Sequence, residues 1–147
     1  MKSLLRLLFS RRHSLEAALS DDSPPPPSAD ELVHEGNRLE GLNDHAGALE
    51  LYQRAVALSP QSASAHLNLG NVLTVFGRTT DAEGCYRRAI ELDSDCADAY
   101  FNLGTVLLAR QSANDAEESY RHAIRLRPGW AEAWAALESS SGGISSL

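Results

Sequence analysis

"AHLNLGNVL", residues 65–73, and "AYFNLGTVL", residues 99–107, decide the fold. They lie 34 residues apart and share Ala, Asn, Leu, Gly, Val and Leu in register. A fixed period of this size marks a stacked repeat array. Counted outward from the pair, blocks start at Ala29, Ala63, Ala97 and Ala131. The eighth place of the first three blocks holds Gly36, Gly70 and Gly104, and the twentieth holds Ala48, Ala82 and Ala116. Tyr52, Tyr86 and Tyr120 stand at the twenty-fourth place, and Ala55, Ala89 and Ala123 at the twenty-seventh. Pro60 and Pro128 close blocks one and three, with Ser94 at the matching place in block two.

Each place has a physical use. Gly and Ala let two helices approach, and the tyrosines are expected to fill the gap between one helical hairpin and the next, their hydroxyls reaching an edge. Proline stops a second helix, because the residue before it is pushed out of the helical region. Each block therefore reads as helix, turn, helix. Gly41 and Gly77 are expected to help end the first helices of blocks one and two. Ser28 with Glu31 reads as a capping box, and Thr80 with Glu83 and Asn114 with Glu117 are expected to cap second helices.

The rest of the chain frames the array. "SPPPPS", residues 23–28, cannot continue a helix and favours an extended spacer. Residues 1–19 read as a basic amphipathic leader, 20–28 as a Pro-rich linker and 139–147 as a flexible tail. Of the net charge of −7, residues 1–15 contribute +4 through Lys2, Arg6, Arg11 and Arg12, which leaves −11 on the remainder. An acidic body repels phosphate backbones, so nucleic acid is not an expected partner. No stretch reaches the ~20 apolar residues of a membrane span. Leu4, Leu5 and Leu8 with Arg6, Arg11 and Arg12 leave a peripheral membrane-surface contact through residues 1–19 as a third reading. Cys85 and Cys96 make neither a disulfide framework nor a zinc site, and suit a reducing, cytoplasmic compartment.

These blocks resemble tetratricopeptide repeats over about residues 29–138: three full repeats, 29–62, 63–96 and 97–130, and a partial fourth, 131–138. The resemblance implies an all-α, right-handed superhelical array of antiparallel helix hairpins. Glu35 departs from it, standing where a large apolar residue is usual, and His66 stands where Tyr100 and Trp134 stand in blocks three and four. In the family's geometry the second, fifth, sixth, ninth and twelfth places of each block face a concave groove. The implied peptide-binding residues are His34, Asn68 and Asn102 at the sixth place, Asn37, Asn71 and Thr105 at the ninth, and Leu67 and Phe101 at the fifth. Val33 shares the fifth place, and Asp30, Ser64 and Asp98 hold the second.

The groove asparagines need an explanation, because Asn is a mediocre helix former. A primary amide offers an acceptor and two donors, and can bond a peptide's C=O and N–H whatever side chain the peptide carries. The repeats of O-linked N-acetylglucosamine transferases carry such an asparagine ladder; Asn68 and Asn102 match it and His34 does not. The competing reading is that the amides solvate the groove or bond a neighbouring repeat. A carboxylate clamp for chaperone C-termini is rejected, because its basic places hold Val33, Asp98 and Asn102.

For catalysis there is no P-loop, no G-x-S-x-G, no H-E-x-x-H and no G-x-G-x-x-G. The five histidines are scattered, and His122 reads as a solvated neighbour of Arg121. The expectation is a non-enzymatic interaction module, with no cofactor or metal, that holds an extended peptide in an amide-lined groove. The alternative is the N-terminal, substrate-recruiting repeat region of a larger bacterial-type protein glycosyltransferase.

Overall fold

In a computed structural model, which describes residues 4–6, 8 and 23–142, seven helices follow the proline spacer. They are α1 (Ala29–Gly41), α2 (His45–Leu58), α3 (Ala63–Val75), α4 (Thr79–Leu92), α5 (Ala97–Ala109), α6 (Ala113–Leu126) and α7 (Ala131–Ser141). The described residues contain no strand. Helices α1/α2, α3/α4 and α5/α6 form three antiparallel hairpins stacked into a right-handed superhelix, and α7 packs on the last.

The glycine–tyrosine pairs set the spacing inside each hairpin. A Cβ added at Gly36 would stand 2.5 Å from Cε1 of Tyr52, one at Gly70 2.6 Å from Tyr86, and one at Gly104 2.7 Å from Tyr120. Each ring therefore lies flush on the first helix of its own repeat, a closer role than the inter-hairpin filler expected from sequence. The tyrosines are at most 2% exposed, and Ala48, Ala82 and Ala116 are fully buried. One contiguous apolar core runs from Leu32 to Tyr120, and Ala136 and Leu137 of α7 pack on it.

The hairpin turns are made differently from the expectation. The fifteenth place of each block carries positive φ: Asn43 at 64°, Gly77 at 70° and Gln111 at 64°. Gly77 thus ends α3 as anticipated, but Asn43, not Gly41, makes the turn in block one. The residue after each turn donates back to the closing helix: Asp44 to Leu39 at 2.8 Å, Arg78 to Leu73 at 2.9 Å and Ser112 to Leu107 at 2.9 Å. This six-residue closure uses carbonyls that the helix end leaves unpaired.

The capping box of Ser28 and Glu31 is present in both directions, at 3.3 and 2.7 Å. The hydrogen bonds from Ser28 hold the Glu31 carboxyl below its usual range. Asp44 caps α2 and Ser62 caps α3 through the N–H groups of Gly47 and Ala65. Thr80 and Asn114 do not cap: α4 starts after Arg78 and α6 after Ser112, and neither start has a side-chain cap. The helix boundary falls two residues earlier than the Thr/Asn–Glu spacing suggests, so both residues already lie inside the helix.

At the C-terminal end α7 continues to Ser141, so residues 139–141, expected in the tail, are helical. Ser139 and Ser140 bond their hydroxyls to the carbonyls of Ala135 and Leu137, at 2.8 and 2.7 Å. Residues 143–147 lie outside the described residues, as does the leader apart from residues 4–6 and 8, where Leu4, Leu5 and Leu8 are exposed. Among the described residues no helix is long and apolar enough to cross a membrane.

Candidate functional site

The stacking pattern defines the inner wall. First helices touch along the array, α1 on α3, α3 on α5 and α5 on α7, whereas the second helices α2, α4 and α6 do not touch one another. Close spacing on one side and splaying on the other makes the first-helix face concave.

On that wall one sixth-place and three ninth-place side chains are held in three separate hydrogen-bonded groups, one per repeat. Asn102 Nδ2 donates to Asn71 Oδ1 at 2.8 Å, which ties repeat three to repeat two. The same Asn71 oxygen accepts from the Tyr86 hydroxyl at 3.1 Å, and that hydroxyl lies 3.0 Å from Thr74 Oγ1. In repeat one the Tyr52 hydroxyl lies 2.7 Å from both Asn37 Oδ1 and Glu40 Oε2, sharing one proton between them. Burial, with the Glu40 carboxylate beside it, pushes the Tyr52 phenol well above its ordinary range. In repeat three the Tyr120 hydroxyl donates to Thr105 Oγ1 at 3.3 Å. The tyrosines that pack on glycine thus also reach through their hairpins to orient the groove side chains.

Asn68 differs from its neighbours. It is half-buried on α3, and its amide has no hydrogen bond to any described residue. Asn102 is equivalent to it by register, yet one of its donors is spent on Asn71. The two ladder positions are therefore not interchangeable. His34 is exposed and likewise has no side-chain hydrogen bond among the described residues, and Asn37 and Thr105 are exposed as well. The fifth place is more core than groove: Val33 is buried, and Leu67 and Phe101 are half-buried against the core.

Phe101 opens a cluster that the sequence reading passed over. Its ring centroid lies 4.5 Å from that of Trp130 and 5.6 Å from that of Tyr120. The Arg127 guanidinium sits 4.3 Å above the Trp130 ring and bonds both oxygens of Asp98, at 3.3 and 3.1 Å. The signal was present: the place before each block holds Ser28, Ser62 and Cys96, and then a tryptophan.

On the outer side His122 is not a solvated surface residue. It stacks on Tyr100 at 4.8 Å with ring planes 9° apart, and its Nδ1 lies 2.8 Å from Arg125 Nη2. His66, at the place matching Tyr100, instead bonds the Pro60 carbonyl at 3.0 Å, as Trp134 bonds that of Pro128. Arg87 and Arg88 pair with Glu83 and Glu91 within α4. Among the described residues no three His, Cys, Asp or Glu side chains converge as metal ligands. Cys85 and Cys96 are free and half-buried; burial raises the Cys85 thiol to about 11.

A family model, that of the cilia and flagella-associated protein 70 middle TPR-like domain, matches residues 36–139. The chain belongs to this family. No curated protein sequence is significantly similar to it. Solved structures share the TPR-like architecture closely. The first TPR of Spaghetti (RPAP3) bound to the HSP90 peptide SRMEEVD superposes with a TM-score of 0.78 at 22% identity, covering 81% of this chain and 94% of that one. MamA superposes with 0.76 at 25% identity, over 90% of this chain and 74% of that one. The second TPR domain of human RPAP3, in complex with the HSP70 peptide SGPTIEEVD, gives 0.73 at 23% identity, over 77% and 94%. For the two RPAP3 structures the likeness is one of fold alone. None of these three is described as a glycosyltransferase, and these likenesses lend no support to the glycosyltransferase alternative.

Proposed function

We propose that this TPR-like domain is a protein-interaction module whose concave face holds an extended segment of a partner protein. The reading rests on one observation above all: Asn68 stands half-buried on the inner wall with its whole amide unspent on any described residue. The amide stays within reach of solvent and is well suited to a passing peptide unit, to which it offers both donor and acceptor. Asn71, with its oxygen saturated, keeps its N–H groups to donate, and Asn102 keeps its oxygen to accept. Leu67 and Phe101, one residue before Asn68 and Asn102, supply the adjoining apolar contacts. Neighbours of the same fold are solved with HSP90 and HSP70 peptides, which supports peptide binding by analogy of architecture. Their peptides end in EEVD, and the places of a cationic clamp here hold Val33, Asp98 and Asn102. A different peptide class is therefore expected.

The test uses the full chain as bait against a cell extract, beside two variants of it. Asn68→Ala, in the groove, should lose the bound partner while keeping its melting temperature, because Ala is the better helix former. Glu118→Ala, on the outer face, should keep the partner. Equal recovery by parent and Asn68→Ala removes the groove from the reading.

A further inference from the structure

The groove is polarised along its length, and that polarity describes the segment it takes. Resting on the groove reading above, we infer that the occupant is an extended segment carrying a basic side chain at one end and a large apolar side chain about five or six residues away. At the repeat-one end, groove places hold Asp30 and Glu40, neither carboxylate paired with a basic side chain among the described residues; Arg38 is engaged by Glu35 instead, at 2.6 Å. Glu40 stays a hydrogen-bond acceptor for the Tyr52 hydroxyl, which orients it without neutralising it. No Lys or Arg occupies a second, fifth, sixth, ninth or twelfth place in any block.

The repeat-three end is of opposite character. In repeat three the second-place Asp98 is already paired with Arg127, whose other contact is the face of Trp130; the next second-place acid, Glu132, follows on α7. Trp130 and Phe101 are both half-buried and lie 4.5 Å apart, an open-edged aromatic corner beside Asn102. A desolvated aliphatic or aromatic side chain fits such a corner, and a carboxylate does not. Between the ends, Asn68, Asn71 and Asn102 address only peptide backbone.

The spacing follows from helix packing. Helix α1 and helix α5 are two inter-helix steps apart, and packed helices sit about 8–10 Å apart. From Asp30, near the level of Phe101 on its helix, the separation is about 16–20 Å, which an extended chain crosses in about five or six residues at ~3.3 Å each; Glu40 stands about 15 Å further along α1. The charge order also separates this groove from those solved with acidic peptides, whose carboxylates the Asp30–Glu40 end repels.

The probe is a random 12-residue peptide library displayed on phage, selected on the immobilised full chain and counter-selected on Asn68→Ala. Peptides surviving both steps should be enriched in Lys and Arg, depleted in Asp and Glu, and should carry Leu, Phe or Trp five or six residues from the basic position. A synthetic survivor should bind roughly tenfold more weakly to Asp30→Lys/Glu40→Lys, one exposed and one half-buried charge reversal combined, and a Lys→Glu version of it should regain affinity for that variant. Survivors that depend on Asn68 but show no charge preference, or that bind the double variant as well as the parent, overturn this inference and leave the groove standing. Failure to recover any peptide that depends on Asn68 overturns the groove reading and this inference with it.

Discussion

A single missing Cβ governs each hairpin. Gly70 sits where an added methyl would stand 2.6 Å from the Tyr86 ring, which is 2% exposed and cannot swing aside. Gly70→Ala should destabilise the chain by about 1–3 kcal/mol, the overpacking strain exceeding the better helix propensity of Ala. Gly84, mid-helix in α4, has nothing within 4 Å of such a methyl. Gly84→Ala should therefore gain about 0.5–1 kcal/mol. Urea denaturation of both variants gives opposite shifts in midpoint if the packing is as described, and shifts of the same sign contradict it. Tyr52 adds a pH dependence. Its folded pKa lies above the ordinary ~10 of a phenol, because burial, then Glu40, disfavours the phenolate. The unfolded chain releases its proton first as pH rises, so this stability is present below about pH 10 and is lost above it. Urea midpoints from pH 8 to 11.5 should fall with rising pH, less steeply for Tyr52→Phe. A residual slope is expected from Tyr86, whose phenol is also raised by burial.

The helices differ more at their ends than in their middles. The residue preceding each second helix is Asp44, Arg78 or Ser112 by register, and only Asp44 accepts a backbone N–H at the helix start. Arg78 is engaged with Asp81 at 2.8 Å, a pair between exposed side chains. Ser112 has the right chemistry but makes no side-chain cap. Ser112→Asp should install the α2 arrangement at α6 and add a charge that the helix dipole favours, together worth about 0.5–1 kcal/mol. Thermal melts in low and high salt check it: the gain should shrink, but not vanish, as the dipole contribution is screened.

At the scale of the molecule, polar bonds couple neighbouring repeats above a common apolar core. Asn102 to Asn71 and Arg110 to Glu83 join repeats two and three, Arg88 to Gln61 joins one and two at 3.1 Å, and Arg127 to Asp98 ties the end of α6 to the start of α5 within repeat three at 3.1 Å. Of the two ladder asparagines, only Asn102 is part of this coupling. Asn102→Ala should lower the melting temperature, by an amount equivalent to about 0.5–1.5 kcal/mol, whereas Asn68→Ala should not. Calorimetry on the two variants separates them, and equal melting temperatures would argue against an Asn71–Asn102 bond in solution. The end helix matters for the same reason: Ala133 is fully buried and α7 shields repeat three from water.

By itself the sequence determined the period, the helix count per block and the identity of the core. These follow from short-range rules, since glycine, alanine, tyrosine and proline recur at fixed helical offsets and their sizes fix what can pack. It also brought out the groove rows, because register alone puts equivalent residues in line along a stack. It did not determine which partner each groove side chain chooses. Asn68 and Asn102 look alike in sequence, and only the relative placement of α3 and α5 gives Asn102 a neighbour at Asn71 and leaves Asn68 unspent. The same holds for the turns, where a left-handed residue is required at the fifteenth place and the chain supplies Asn, Gly and Gln in turn. It holds again for the Phe101–Trp130–Arg127–Asp98 cluster, whose members come from the two ends of repeat three and are joined by three-dimensional proximity. A hydrogen bond or ring contact is decided within a fraction of an ångström, by the geometry of packed helices, while a repeat pattern specifies a side chain only to within one helix face.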